Sequence, residues 1–471
     1  MIEQVNVKKN IVYNILLTIS TYVAALIVYP YASRVLGVEN IGIVGFVLKT
    51  IDGFVIFSTL GVTIVGIREI ASIKNDKQKL SKVYSSLVSI LGVSTLLVTI
   101  AYIAGILFIP SLNNYYKLFI IGLSKLIASA FLIEWFYQGI EDFRYITIRN
   151  LALKLVYIVA VFIFIREKED YSLYLLLNVL VVVFNSIINW GTSRKYVKFK
   201  FSLKDTRLFI IPVLVYGGYQ VLNAVYSTFN YTFLGTYCSS IEVGYYYTAE
   251  QFYAILLSII TAITKVLMPR TSNLLSEKKY DAFNQLIEKS FSSILSICIP
   301  LALVGVFYAS NIINIMVGEE YTGAVLPLQI MLILILINGI NQIFIIQVAM
   351  PLRLDKEILI GTVIASMLAL AFNKVLLVNL GAVGASIILV ISVIIANIYP
   401  VYIILKKGYI KLPLKCISNC IIKSFPYLLI CVIVYGLPIN SDYVRLGVVG
   451  GLCGLVFLFL NKETFLGIIK K

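Results

Sequence analysis

FVLKTIDGF, residues 46–54, sets two opposite charges, Lys49 and Asp52, inside an otherwise apolar run. Whether that run lies in water, in a protein core or in a bilayer decides the fold. Of the 471 residues, 60% are hydrophobic and only 13% charged, and the mean hydropathy is +0.95. A soluble domain carries about 25% charged residues, because polar side chains must cover its core. Apolar runs long enough for the roughly 17–25 residues of a membrane helix recur along the chain. The strands of an outer-membrane barrel would instead alternate over about ten residues. The fold class expected is therefore all-α and polytopic.

Fourteen spans fit the pattern: 10–32, 41–65, 83–109, 114–139, 148–165, 171–190, 208–235, 245–268, 290–317, 325–349, 357–379, 381–404, 420–438 and 443–461. With this segmentation, 29 of the 39 Lys and Arg side chains fall beside the side that holds both termini, and five fall on the other. The positive-inside bias then makes both termini cytoplasmic, in a multi-pass inner or plasma membrane protein. The formal charge of +16 has the same origin: basic connectors beside anionic membrane lipids, not nucleic-acid binding. The opening MIEQVNVKKN runs into a long span with no small-residue cleavage motif, so no cleavable leader is expected.

Several chemistries have no residues to carry them. His is absent, which removes the commonest metal ligand and near-neutral proton carrier. The six cysteines are scattered, without ligand spacing. There is no GxxxxGK[ST] loop for ATP, no HExxH, and no strand–turn–helix context for the glycines of LGVTIVG or LGAVGAS. The connectors are too short for a folded catalytic domain. The expectation is a transporter, not an enzyme.

A weak internal repeat follows from connector order. VENIGIVGF leads to GIREIASI, and IEVGYYYTAEQF leads to LMPRTSNL. A shift of 202 residues places Gly42 on Gly244 and Arg68 on Arg270. Two six-helix lobes, 1–205 and 206–408, with two added helices in 409–471, would be parallel repeats about the membrane normal.

Five lysines belong to no connector: Lys49, Lys125, Lys154, Lys265 and Lys374. The last two lie near span ends and read as interfacial anchors. A charge at mid-depth costs about 2.5–3.5 kcal/mol even on the lenient insertion scale, so such residues face a bundle interior or a watery cavity. Lys49 and Asp52, one helical turn apart, form either a local salt bridge or part of a cationic lining with Lys125, Lys154 and Arg34 that suits phosphate or carboxylate. Asp52, Glu134 and Glu250 are either counter-charges or sites for a coupling ion, H⁺ or Na⁺; no other cofactor and no metal are expected.

YPYASRVLGVENIGIVGF and STLGVTIVGIREIA resemble the N-terminal region of Wzx-type polysaccharide repeat-unit flippases (O-antigen, capsule and teichuronic acid exporters) of the multidrug/oligosaccharidyl-lipid/polysaccharide superfamily. VGYYYTAEQF…MPR is similar to their second half. Arg34 and Glu39 fall in the first turn motif, Arg68 and Glu69 close the second span, and Arg270 closes its counterpart. The resemblance implies a flippase moving an undecaprenyl-diphosphate-linked oligosaccharide from the cytoplasmic to the outer leaflet, by rocking of two lobes about a cationic cavity. Membrane lipids, and a polysaccharide polymerase and chain-length regulator, are the implied partners. Two alternatives stay open: a small-molecule or multidrug exporter of the same fold, whose cavity should lean negative, and a membrane glycan polymerase or ligase, which needs larger outer loops.

Overall fold

Lipid offers no hydrogen bonds, so a spanning segment must satisfy its backbone within itself, and the helix does this. The computed structural model describes residues 7–201, 205–439 and 441–460, the side chains of 7–12, 14, 15 and 266 excepted. Lys204, Lys462, Lys470 and Lys471, and the side chains of Lys8 and Lys9, thus lie outside the described residues. Among those described there is no strand. The chain divides into two compact units, Met1–Gly244 and Tyr245–Lys471.

The first unit contains α1 (Val7–Thr59), α2 (Val62–Ile73), α3 (Lys77–Phe108), α4 (Pro110–Asn113), α5 (Tyr116–Ala130), α6 (Glu134–Gly139), α7 (Phe143–Phe164), α8 (Tyr171–Ser193), α9 (Arg207–Tyr226) and α10 (Phe229–Tyr237). Helix α11 (Ser240–Ser276) leads into the second unit. There follow α12 (Tyr280–Phe307), α13 (Ala309–Met316), α14 (Val325–Gln342), a π-helical turn at Ile343–Ala349, α15 (Asp355–Lys406), α16 (Leu414–Lys423), α17 (Phe425–Gly436) and α18 (Asp442–Leu460).

Twelve of the described segments are long and apolar enough to cross a membrane. Two of them, Leu16–Thr59 with 44 residues and Asp355–Lys406 with 52, would extend roughly 66 and 78 Å at about 1.5 Å per residue, against a hydrocarbon core of about 30 Å. Each is broken at one glycine, Gly37 (φ 77, ψ 167) or Gly381 (φ 52, ψ −128). A residue with a Cβ adopts such angles only under strain. Each long helix therefore has the length of two crossings, which brings the described segments to the fourteen expected.

Side chains such as Leu96, Leu97, Leu155 and Val156 are more than 60% exposed, an apolar exterior that belongs against lipid. Inside the first unit, Val65, Tyr84, Trp135, Phe136 and Tyr137 form a buried core. Gly66 makes room for it: a Cβ there would lie 2.4 Å from the Trp135 ring. The second unit has its own cluster around Tyr308, Tyr427, Cys431 and Val449. There the Tyr308 hydroxyl donates to the Cys431 carbonyl at 2.8 Å.

The repeat register has a physical counterpart within the first unit. A Cβ on Gly42 would fall 1.8 Å from the Ser240 carbonyl oxygen, and one on Gly244 would fall 2.3 Å from that of Val38. The shift of 202 that pairs Gly42 with Gly244 also pairs Val38 with Ser240. The two matched segments thus touch reciprocally, backbone against backbone.

Candidate functional site

The charges of the opening stretch sit on the second leg of α1. Asp52 accepts from Lys125 of α5, Nζ to Oδ1, at 2.5 Å. The pair joins two helices where a small residue lets them approach. Gly122, one turn before Lys125, faces Ile51 so closely that a Cβ would lie 2.0 Å from its Cδ1. Lys125 is largely enclosed, with 15% of its side chain exposed, whereas Asp52 keeps 41%. One carboxylate edge therefore stays open to whatever fills that space. Lys49 Nζ stands 4.9 Å from the centroid of the Tyr231 ring, a cation–π contact that helps hold an ammonium away from water. Helix α10 reaches this place because Gly53 admits the Phe229 ring, Gly235 admits that of Phe46, and the Thr50 and Thr232 hydroxyls bond at 3.0 Å.

Lys154, on α7, hydrogen-bonds the first leg of α1 through Thr21 and, at 3.4 Å, Ser20. Counted from Gly37 at about 1.5 Å per residue, Thr21 and Asp52 both lie roughly 22–24 Å along their legs. The Lys154 and Lys125 contacts thus reach the two legs of α1 at matching heights.

A second ion pair forms at a broken span. Helix α5 ends at Ala130, and α6 begins at Glu134 after Ile133 with φ 36, a left-handed backbone that is costly for a β-branched residue. The carbonyls released by the break do not go bare: Ser186 donates to Ala128 O at 2.7 Å, and Asn189 Nδ2 to Leu132 O. Glu134 heads α6 and takes Arg149 of α7 as its partner. Arg149 also bonds Asn150 Oδ1 at 3.2 Å and lies 5.4 Å from the centroid of the Tyr145 ring. It is 4% exposed, yet its Nε and Nη1 find no acceptor.

The remaining residues singled out in the sequence occupy helix ends or the second unit. Arg34 and Glu39 are exposed on either side of the Gly37 bend. Arg68 pairs with its neighbour Glu69 at 2.8 Å on the surface, a contact of little energetic weight. Arg270 is exposed after Pro269, as are Lys265 and Lys374 along their helices, while Glu250 is half-buried on α11. The geometry brings Asp52 together with Lys125, sets Lys49 against the Tyr231 ring and ties Lys154 to the first leg of α1. Sequence reading missed Arg149, which it counted with the basic residues at the terminal side although it lies inside the 148–165 span and is the seventh residue of α7. It also missed Tyr231, Thr232, Ser186 and Asn189, neutral residues whose roles depend on a facing helix.

The polysaccharide biosynthesis protein family matches residues 7–275, more than half of the 471. The chain belongs to that family. This family member is 23% identical over 399 residues to a protein of Escherichia coli (strain K12) whose name assigns it O-antigen transport, covering 82% of this chain and 94% of that one. Among solved structures, it resembles the lipid II flippase MurJ in an inward closed conformation, with TM-score 0.78, 15% identity, and coverage of 96% of this chain and 100% of the other. An inward-facing multidrug resistance MATE family transporter of the MOP superfamily follows the same fold at TM-score 0.63, 13% identical, with 84% and 98% covered.

Proposed function

We propose that this protein is a flippase that carries an undecaprenyl-diphosphate-linked oligosaccharide from the cytoplasmic to the outer leaflet for surface polysaccharide synthesis. Membership of the family, the O-antigen transport named for the Escherichia coli relative, and the flippase title of the MurJ structure support this reading. The observation that carries it is the charge balance inside the first unit. Lys49, Lys125, Lys154 and Arg149 stand against Asp52 and Glu134, a surplus of cations at span depth. A diphosphate crossing the membrane needs such compensation, and low dielectric strengthens each contact. An exporter of organic cations would need the opposite sign.

No covalent step is required. Lysines hold a moving anion as point charges, more loosely than a bidentate guanidinium would. The sugar needs polar surroundings, while the prenyl tail stays in lipid. Lobes 1–205 and 206–408 rocking about the path, with 409–471 appended, would give alternating access. Both termini would be cytoplasmic in the inner or plasma membrane, as the basic connectors favour. Asp52 and Glu250 are the first candidates for exchanging H⁺ or Na⁺. A polymerase and a chain-length regulator would take the product.

The test is transfer of a fluorescent lipid-diphosphate-linked sugar between leaflets of proteoliposomes. Charge reversal at Lys49, Lys125 and Lys154 should each slow it. Unchanged transfer in all three variants, with normal insertion, would refute the cationic route.

A further inference from the structure

A groove of about 470 Å³ opens beside the broken span, between α7 and α8. Tyr145, Ile148, Arg149 and Ala152 line it at helical spacing along one stripe of α7, with Arg144 at its rim, Leu153 beside them and Ile188 across from α8. Ile148 is 54% exposed and Ile188 38%, so the groove faces the apolar exterior where lipid chains lie. Its single acid, Asp142, is already engaged: Oδ1 accepts from Tyr145 N at 3.2 Å and Oδ2 from the Tyr196 hydroxyl at 3.1 Å. Arg144 is exposed and has no carboxylate partner among the described residues. Arg149 contributes its wall while keeping two buried, unpartnered nitrogens.

Among the side chains lining the groove, two guanidiniums stand with one carboxylate, Asp142, whose oxygens are already taken by Tyr145 and Tyr196. Arg144 and the two unpartnered nitrogens of Arg149 are therefore the donors left for a ligand. Guanidinium donors match phosphate oxygens in geometry, and an interfacial basic pocket between membrane helices is a known setting for an anionic headgroup. An apolar stripe leading away from the arginines suits an acyl chain. We propose that this groove binds the phosphodiester of an anionic phospholipid, headgroup on Arg144 and Arg149 and chain along Ile148, Leu153 and Ile188. Because Arg149 also holds Glu134, the lipid would brace the break between α5 and α6. This inference does not depend on what the protein transports.

Native mass spectrometry of the full-length protein in detergent, titrated with phosphatidylglycerol, phosphatidylcholine or inorganic phosphate, tests it. Phosphatidylglycerol should stay bound where phosphatidylcholine does not. Its binding should fall about fivefold in Arg144→Gln, in keeping with one interfacial basic residue. Ala152→Trp, at an exposed position that fills the groove while keeping both arginines in the chain, should abolish the preference while leaving the fold intact. Equal retention of phosphatidylglycerol by wild type and both variants would overturn the proposal. So would binding of inorganic phosphate that phosphatidylglycerol does not displace. Displacement of phosphatidylglycerol by an undecaprenyl diphosphate at equal concentration would also overturn it, by assigning the groove to the prenyl-linked anion.

Discussion

The polar interiors of the two units are built from different chemistry. In the first, ionic contacts join helices: Asp52 to Lys125 and Glu134 to Arg149. In the second, neutral groups do the same work. Asn338 donates to the Tyr253 hydroxyl, and Gln342 links Thr261 and Thr264 of α11, both at 2.8 Å. Its acid at span depth is Glu250, half-buried. Neutral bonds act over one contact distance and fix packing. Charges also act across several ångströms, on anything that enters. The contrast separates a unit that can sense a charged cargo from one whose polar residues organise helices. The second unit also holds the π-turn at Ile343–Ala349, with Gln347 buried and its amide unpartnered; such turns often mark functional sites.

The largest effect should come from the ionic side. Asp52→Lys should slow leaflet transfer at least about tenfold, the kinetic equivalent of about 1.4 kcal/mol. The exchange Asp52→Lys with Lys125→Asp should recover part of that rate. No recovery would mean that the charges act singly and not as a pair. Next comes packing: Gly42→Ala or Gly244→Ala drives a Cβ into a facing carbonyl. Overpacking of this kind costs about 1–3 kcal/mol, read as a lower melting temperature in detergent. An unchanged melting temperature would mean that the reciprocal contact is loose.

A smaller effect is expected in the neutral network. Asn338→Leu should cost about 1 kcal/mol of stability and leave transfer of the anionic lipid nearly unchanged. A loss as large as that of Asp52→Lys would erase the contrast between units. The smallest effect lies outside the spans. Asp76 caps α3 by accepting from Gln78 N and Lys79 N, both at 3.1 Å. The Lys79 backbone N–H is the main cause holding its carboxyl below the ordinary 3.8. Its folded-state pKa is thus depressed, so the stabilisation is complete above the unfolded value and disappears as pH falls through the folded one. Protection of the Gln78 and Lys79 amides, taken relative to their intrinsic exchange rates, should fall on acidification below about 3.8, and Asp76→Asn should remove that pH dependence while keeping a cap.

Much of the architecture was readable because a bilayer enforces it. Span length and the cost of buried charge are one-dimensional constraints, so Gly37 and Gly381 could be located as junctions from hydropathy alone. The break at Phe131–Ile133 was not readable. Nothing in FLIEWF announces a left-handed Ile133, which is tolerated because Ser186 and Asn189, more than fifty residues later, satisfy the exposed carbonyls. Arg149 was misplaced for a related reason. FRYITIR looks like the edge of a span, and only its proximity to Glu134 draws the arginine inside.

The sequence by itself determined the solvent, the fourteen crossings and the presence of charges at depth, since each follows from hydropathy summed along a segment. Tertiary structure decided the partners. Asp52 lies one turn from Lys49 on its own helix, yet the ammonium bonded to it belongs to Lys125, because Gly122 allows α5 to press against α1. Side chains on one helix diverge from its axis, and a neighbouring backbone at close range can bring a cation nearer than the next turn does.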